Sequence, residues 1–367
     1  MKIKTITSLA ALFSASLSVA QAQFTAGDLV VLQVGNGSAT LTSAGTPIFL
    51  DDFSTSPSDL VSSLSIPSTG ADALVNSGTA TSEGELSLSA NGEDIVLAGY
   101  NTSAGTTSVA SSTAANVPRA LATVDASGDY SLVATTSSSF SGNNIRSGTT
   151  DGAGNFWAAG ANTGIVYMGT GTPGAISTTS VNNRLVQDIG GNLYFSTGSG
   201  SSKGIYEITG TPTSGPNTAV SVINTSTLGS GSPYGFAFSP NMMTAYVADS
   251  DAYTSATGFG GIEKWSFNGT SWAFQYSLPT EGVGANGLAV NFSGANPVIY
   301  ATSGDGTSLF EITDTGSSST ATLLDTAPSD EAFRGLVFAP VPEPSALALL
   351  AFGLPGVYWQ MRRGRKS

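Results

Sequence analysis

Asp188-Ile189-Gly190-Gly191-Asn192-Leu193-Tyr194-Phe195-Ser196 reads as the end of one strand, a tight turn and the start of a second strand, and Gly204-Ile205-Tyr206-Glu207-Ile208 follows as a third. Glycine and asparagine between apolar runs supply the positive-φ positions that a short hairpin turn needs. The pattern recurs. Ser89-Ala90-Asn91-Gly92 leads into Ile95-Val96-Leu97-Ala98, and Asp151-Gly152-Ala153-Gly154-Asn155 into Phe156-Trp157-Ala158. Ser239-Pro240-Asn241 leads into Ala245-Tyr246-Val247-Ala248, and Asn291-Phe292-Ser293-Gly294 into Val298-Ile299-Tyr300-Ala301. Third strands recur at 164–167, 261–265 and 308–312, and weaker fourth strands at 175–179, 220–224, 272–276 and 321–324. No part of the body carries helical spacing. Four antiparallel strands repeated every ~40–60 residues are the pattern of an all-β fold built as a β-propeller, one repeat to a blade.

Innermost strands are expected near Glu85, Ile145, Arg184, Gly235 and Gly287, and over Gly335-Leu336-Val337-Phe338. The last of these has no strands after it, while the N-terminal run from Asp28 has no innermost strand before it. Pairing the two ends closes the ring and removes sheet edges that would otherwise aggregate. The count is six blades, with seven the alternative if the loosely patterned stretch from Ser54 to Glu83 conceals strands. A sandwich or barrel would show fewer and less self-similar hairpins, and a β-helix shorter, stricter repeats. The hairpins Asp151-Gly152-Ala153-Gly154-Asn155-Phe156-Trp157 and Ser239-Pro240-Asn241 with Tyr246-Val247-Ala248 resemble those of NHL- and lactonase-type propellers. These motifs are turn chemistry, so the resemblance implies a fold and brings no catalytic residue with it.

Both ends of the chain read as addresses. Lys2 and Lys4, the apolar run Ile6 to Val19 and the Ala20-Gln21-Ala22 cleavage site make residues 1–22 a signal peptide. The body spans 23–340, and residues 341–367 form a second signal. Val341-Pro342-Glu343-Pro344-Ser345 opens it, because two prolines keep the chain extended and Ser345 can cap a helix. A short hydrophobic helix over 345–359 is expected as a transmembrane segment, with Arg362, Arg363, Arg365 and Lys366 as the basic stop behind it. Such a helix spans ~22 Å, short of the ~30 Å hydrocarbon core, which suits a transient inner-membrane anchor. This tail resembles the PEP-CTERM sorting signal of Gram-negative bacteria. The resemblance covers only these terminal residues. It implies recognition by an exosortase, a membrane transpeptidase-like enzyme, and release to the cell surface or an exopolysaccharide matrix.

Composition bounds the chemistry. The chain has no cysteine and no histidine, which excludes Ser-His-Asp and Cys-His catalysis and His-ligated metals. An exported chain without disulfides depends on its core or on a repeat architecture. Six of the 12 basic residues lie in the two signals, leaving six against 24 acidic residues once Glu343 is set aside, so the body carries about −18. That balance repels nucleic acid and anionic polysaccharide. Asp249 and Asp251, after the strand at 246–248, and Asp305, after the corresponding strand of the next repeat, are candidate oxygen ligands for Ca²⁺, against the simpler reading as solvated turn residues. Glu207, Glu263 and Glu311 fall at equivalent third-strand positions in successive repeats, and a repeated Glu of this kind reads first as structural. Glu83, Glu85 and Glu93-Asp94 have no carboxylate partner at a spacing that marks a glycosidase pair. Tyr234, Phe236, Tyr253, Phe259, Trp265 and Trp272 can stack on sugar rings, although most belong between blades as core. The expected function is a non-enzymatic surface or matrix propeller that binds or scaffolds extracellular polymer. The alternative is a Ca²⁺-dependent hydrolase or lactonase with carboxylates at the channel.

Overall fold

Every hairpin marked out by its turn residues is formed. In the computed structural model, which describes residues 23–55, 59–228, 231–254, 258–280 and 282–342, strands Asn183–Ile189, Asn192–Thr197, Gly204–Ile208 and Val220–Asn224 pair antiparallel in that order as one sheet. This is blade 4 of six. Blade 2 comprises Ser87–Leu88, Asp94–Tyr100, Arg119–Asp125 and Tyr130–Thr136. Blade 3 comprises Ile145–Thr150, Phe156–Gly160, Ile165–Tyr167 and Gly174–Ser177. Blade 5 runs through Pro233–Phe238, Thr244–Thr254, Phe259–Phe267 and Trp272–Leu278. Blade 6 runs through Ala285–Asn291, Val298–Ser303, Ser308–Thr313 and Thr322–Thr326.

Blade 1 closes the ring. The C-terminal strand Ala332–Phe338 is its innermost member and pairs with Leu29–Val34, which continues into Ile48–Phe53 and Leu60–Ser65. Leu29 faces Phe338 and Val34 faces Ala332, as expected for closure by the two chain ends. The stretch from Ser54 to Glu83 holds no seventh blade among its described residues. It supplies the outer strand of blade 1 and a two-residue pairing of Asn76–Ser77 with Gly45–Thr46. The signal peptide at 1–22, the segment expected to span a membrane at 345–359, the residues Glu343, Pro344 and Ser345, and the basic tail lie outside the described residues.

Burial explains why the second strands read as nearly continuous apolar runs. Each is covered on both faces, and one hydrophobic cluster fills each of the six interfaces between neighbouring blades. Leu97 and Ala122 of blade 2 pack with Leu32 and Leu50 of blade 1, for example, while Leu309 and Tyr300 of blade 6 pack with Val31 and Leu336 of blade 1. The ring therefore has no weak seam where the ends meet.

One irregularity repeats. In blades 3 to 6 and in blade 1, the innermost strand carries an extra residue relative to the second, with register shifts at 145–147, 183–186, 233–236 and 285–288, and between Val31 and Gln33 opposite 333–336. A bulge bends its strand and re-aims a side chain. Here the re-aimed position holds Arg146, Arg184, Tyr234, Asn286 and Arg334. The next residue is pressed against the neighbouring blade's backbone, and in three blades it is glycine. A Cβ on Gly235 would lie 2.8 Å from the Asn286 carbonyl oxygen, and one on Gly287 would lie 2.7 Å from that of Arg334.

Arg119 shows what a purely structural buried cation looks like. It has no exposed surface, donates to the carbonyls of Ala110, Ser112, Val117 and Asn143, and stacks 5.0 Å above Tyr100. Tyr100 in turn donates to Glu83 at 2.5 Å. The terminal donors of Arg119 are occupied in fixing the loops around its own strand, while its Nε is buried without an acceptor.

Candidate functional site

All six innermost strands run the same way along the channel, so residues early in each strand gather at one end. That end, the head, is built from Arg146, Arg184, Tyr234, Asn286 and Arg334, with Glu85 arriving just before Ser87–Leu88. Half of the body's six cations are therefore concentrated at one place in a strongly acidic molecule. Arg146 is 6 % exposed, Arg184 9 % and Arg334 3 %. The segment 78–83 lies across the head: the Gly78 carbonyl accepts from Arg334, the Thr81 carbonyl from Asn286, and the Ser82 hydroxyl from Arg146.

The guanidinium groups are held but not saturated. One oxygen, Asn182 Oδ1, accepts from Nη1 of both Arg146 (2.7 Å) and Arg184 (2.8 Å), so a neutral amide sits between two cations. Arg184 stacks 4.7 Å over the Tyr234 ring. Arg184 Nε and Arg334 Nε are buried with no hydrogen-bond acceptor, and Asn286 Oδ1 is buried with no donor. Buried donors of this kind are uncommon, because each forgoes hydration without a replacement. Burial lowers the pKa of all three arginines, and the charge of Arg184 adds to the lowering of Arg146, to about 10. Burial pushes Glu85 up to about 7, against the pull of Arg184 and Arg334. The cluster's positive charge is offset in part by Glu83, which acts on Arg146 and Arg334, and by Glu85, which acts on Arg184 and Arg334. Arg184, flanked by the half-buried Asn182 and Ser232, is its most exposed cation.

Beyond the head, the later parts of five innermost strands line a cavity of about 230 Å³. Its walls include Leu86, Phe236, Leu288 and Leu336, with Gln187 and Asp188 as polar members. The wall is mostly apolar, with Asp188 as its charged member.

The carboxylates considered for calcium take other roles. Asp249 is buried at the head side of blade 5, where Oδ1 accepts the backbone N–H of Ser232 (3.0 Å) and of Asp251 (2.8 Å). Asp251 itself is exposed. Asp305 locks the turn after Val298–Ser303, accepting from Ser303 and Thr307; burial opposes its ionisation, but these bonds hold its pKa below the usual value. Among the described residues, no group of three or more Asp, Glu, His or Cys is arranged to hold a metal ion.

The apparent Glu repeat resolves into two faces. Glu207 faces Tyr194 and Glu311 faces Tyr300 across their strands, but in blade 5 the matching Tyr246 faces Lys264, and Glu263 faces Val247. A one-residue offset sends a strand side chain to the opposite face. Glu263 is consequently buried beside Asp249, and burial followed by the Asp249 charge drives its pKa well up. Its Oε2 accepts from Trp265 Nε1 at 3.1 Å, while Oε1 is buried with no hydrogen-bond donor. Of the six aromatic residues, Tyr234, Phe236 and Trp265 are buried, while Tyr253, Phe259 and Trp272 are half-buried, so half of them rather than most are core.

The arginine cluster was not apparent from spacing. The available signal was scarcity: three of only six body cations fall at or next to the positions expected for innermost strands, beside Ile145, at Arg184 and just before Gly335.

Comparison with known proteins adds one firm assignment. Residues 340–363 match the PEP-CTERM protein-sorting motif, which implies export, a transient membrane anchor and exosortase processing. No curated protein matches the sequence. Among solved structures, the fold is similar to a Bacteroides fragilis protein designated a 6-phosphogluconolactonase (14 % identity, 82 % of each chain, TM-score 0.47). It is also similar to a periplasmic gluconolactonase of Pseudomonas aeruginosa (12 % identity, 81 % of this chain and 82 % of the other, TM-score 0.44). A third similarity is to hydrazine synthase of Kuenenia stuttgartiensis (10 % identity, 75 % of each chain, TM-score 0.41). At TM-scores below 0.5 these likenesses carry no argument about activity.

Proposed function

We propose that this exported, exosortase-sorted propeller is a binding protein of the cell surface or extracellular matrix that takes an anionic group, a carboxylate or a phosphate, at the head of its channel. The observation that carries this reading is the convergence of Arg146, Arg184 and Arg334 at one end of the channel, two of them sharing the neutral Asn182 Oδ1 and none in a salt bridge among the described residues. An anion seated there would accept from these guanidinium groups and offset the repulsion between Arg146 and Arg184. The body's overall negative charge sets the size of the ligand. A long polyanion is repelled, so the group belongs on a small molecule or at one point of an otherwise neutral polymer.

In calorimetric titration of the exported protein at low salt, inorganic phosphate or glucuronate binds saturably, and Arg184→Met weakens that binding by about tenfold or more. If neither probe binds, the proposal fails.

Glu85 supports a second reading. A carboxyl held near neutral beside two arginines has the properties of a general base, so the same head would then hydrolyse a lactone or ester. Turnover abolished by Glu85→Gln with binding retained distinguishes it. The calcium-dependent form of that reading predicts a higher melting temperature in millimolar Ca²⁺, and an unchanged one counts against it.

A further inference from the structure

We infer that the groove between the outer parts of blades 4 and 5 is a binding site for a neutral oligosaccharide, separate from the channel head. Its volume is about 820 Å³. That lies within the range of ligand clefts, about 300–1,000 Å³.

The floor is aromatic. Trp272 begins the outermost strand of blade 5 and packs 5.4 Å from Phe238 beneath it and 5.4 Å from Phe267 beside it. Phe238 is braced in turn by Tyr194 of blade 4 at 5.4 Å and by Phe236 at 5.8 Å. The half-buried Trp272 is thus the outer member of an aromatic stack rooted in the interface between the blades. Rings fixed this way offer apolar area at little entropic cost, as the flat C–H face of a pyranose requires.

The rim is of one electrical sense and carries polar groups beside the exposed Val220. Ser221 and Asn224 from the outer strand of blade 4, Thr270 and Ser271 from the turn before Trp272, and Glu207 all line the groove, and no Lys or Arg does. Hydroxyl, amide and carboxylate groups match the donors and acceptors of sugar hydroxyls. One carboxylate without a cation, on a body of strong negative charge, selects against uronates, sulfated sugars and nucleotides. An extended apolar peptide is the competing occupant, but the hydroxyl-rich rim favours a polyol.

The test uses the exported protein, cellohexaose and chitohexaose as probes, and oligogalacturonate and a proline-rich decapeptide as controls. Intrinsic tryptophan fluorescence should change saturably with at least one neutral hexasaccharide and with neither control. Trp272→Ala weakens this binding about tenfold or more, and Trp272→Phe retains most of it. Ser221→Arg, an exposed change that fills the groove without touching the core, blocks binding with the melting temperature unchanged. Arg184→Met leaves it unchanged, so failure here and failure at the channel head are read separately. The inference is overturned if neither hexasaccharide binds, if Ser221→Arg binds like the parent, or if only the peptide binds.

Discussion

Deleting residues 332–342 unfolds the protein, whereas ending the chain at Pro342 leaves it as stable as the full-length form. Ala332–Phe338 is buried over nearly its whole length, with Phe333, Leu336 and Val337 inside the clusters that join blade 1 to its neighbours. Large apolar side chains contribute ~1.5–3 kcal/mol each when buried, so these three together approach a typical net stability of about 5–15 kcal/mol. The loss does not stop there. Thr302 Oγ1 loses the Arg334 carbonyl, Gly84 loses the Gly335 N–H, and Leu29–Val34 becomes a free edge. Beyond Phe338 the contacts are few: Ala339 N–H to the Asp28 carbonyl, and Val341 N–H to the Gly92 carbonyl. Both survive a cut after Pro342. Circular dichroism melts of the two truncations check this. A cooperative melt in the shorter one would mean that closure by the chain ends contributes little.

Thermal stability declines as pH rises from about 5 to about 8. Burial raises Asp51 and Asp52 to about 6 and Glu85 to about 7, and it raises Glu83, Asp249 and Glu263 as well. An acid whose folded pKa lies above its unfolded value holds more protons in the folded state across that interval. Its contribution is complete below the unfolded value near 4 and is lost as pH climbs through the folded one. For Glu85 the shift from 4.5 to about 7 corresponds to on the order of 3 kcal/mol. The lowered carboxyls, Asp151, Asp305 and Asp314, act only below about pH 4 and do not offset this. Glu263→Gln keeps an oxygen for Trp265 Nε1 and removes one of the two facing acids. The variant should therefore melt higher than the parent at pH 8 and show a shallower pH slope. Equal slopes for variant and parent would place the pH dependence elsewhere.

The blades were legible because the information is local. A turn such as Gly190-Gly191-Asn192 and the alternation beside it specify a hairpin without reference to anything distant, and the proline-bounded sorting motif is equally self-contained. Closure followed from counting, since an unpaired first strand and an unpaired last strand have one economical solution. The site was less legible. Arg146, Arg184 and Arg334 become equivalent only when the bulges in their innermost strands are known. Glu263 shows the same limit in reverse. Like Glu207 and Glu311 it follows an apolar residue in a third strand, yet a one-residue difference in register places it in the interior. Turn-bracing and metal-binding aspartates such as Asp249 and Asp305 share a sequence context, so spacing alone does not separate the two roles.

An anomalous difference map from crystals of the exported protein grown with selenate tests the channel-head reading most directly. The account predicts a selenium peak bounded by Arg146, Arg184 and Arg334, within hydrogen-bond reach of the Nε groups of Arg184 and Arg334, and no such peak in Arg184→Met. An empty head at saturating selenate, with or without peaks elsewhere on the surface, would contradict it.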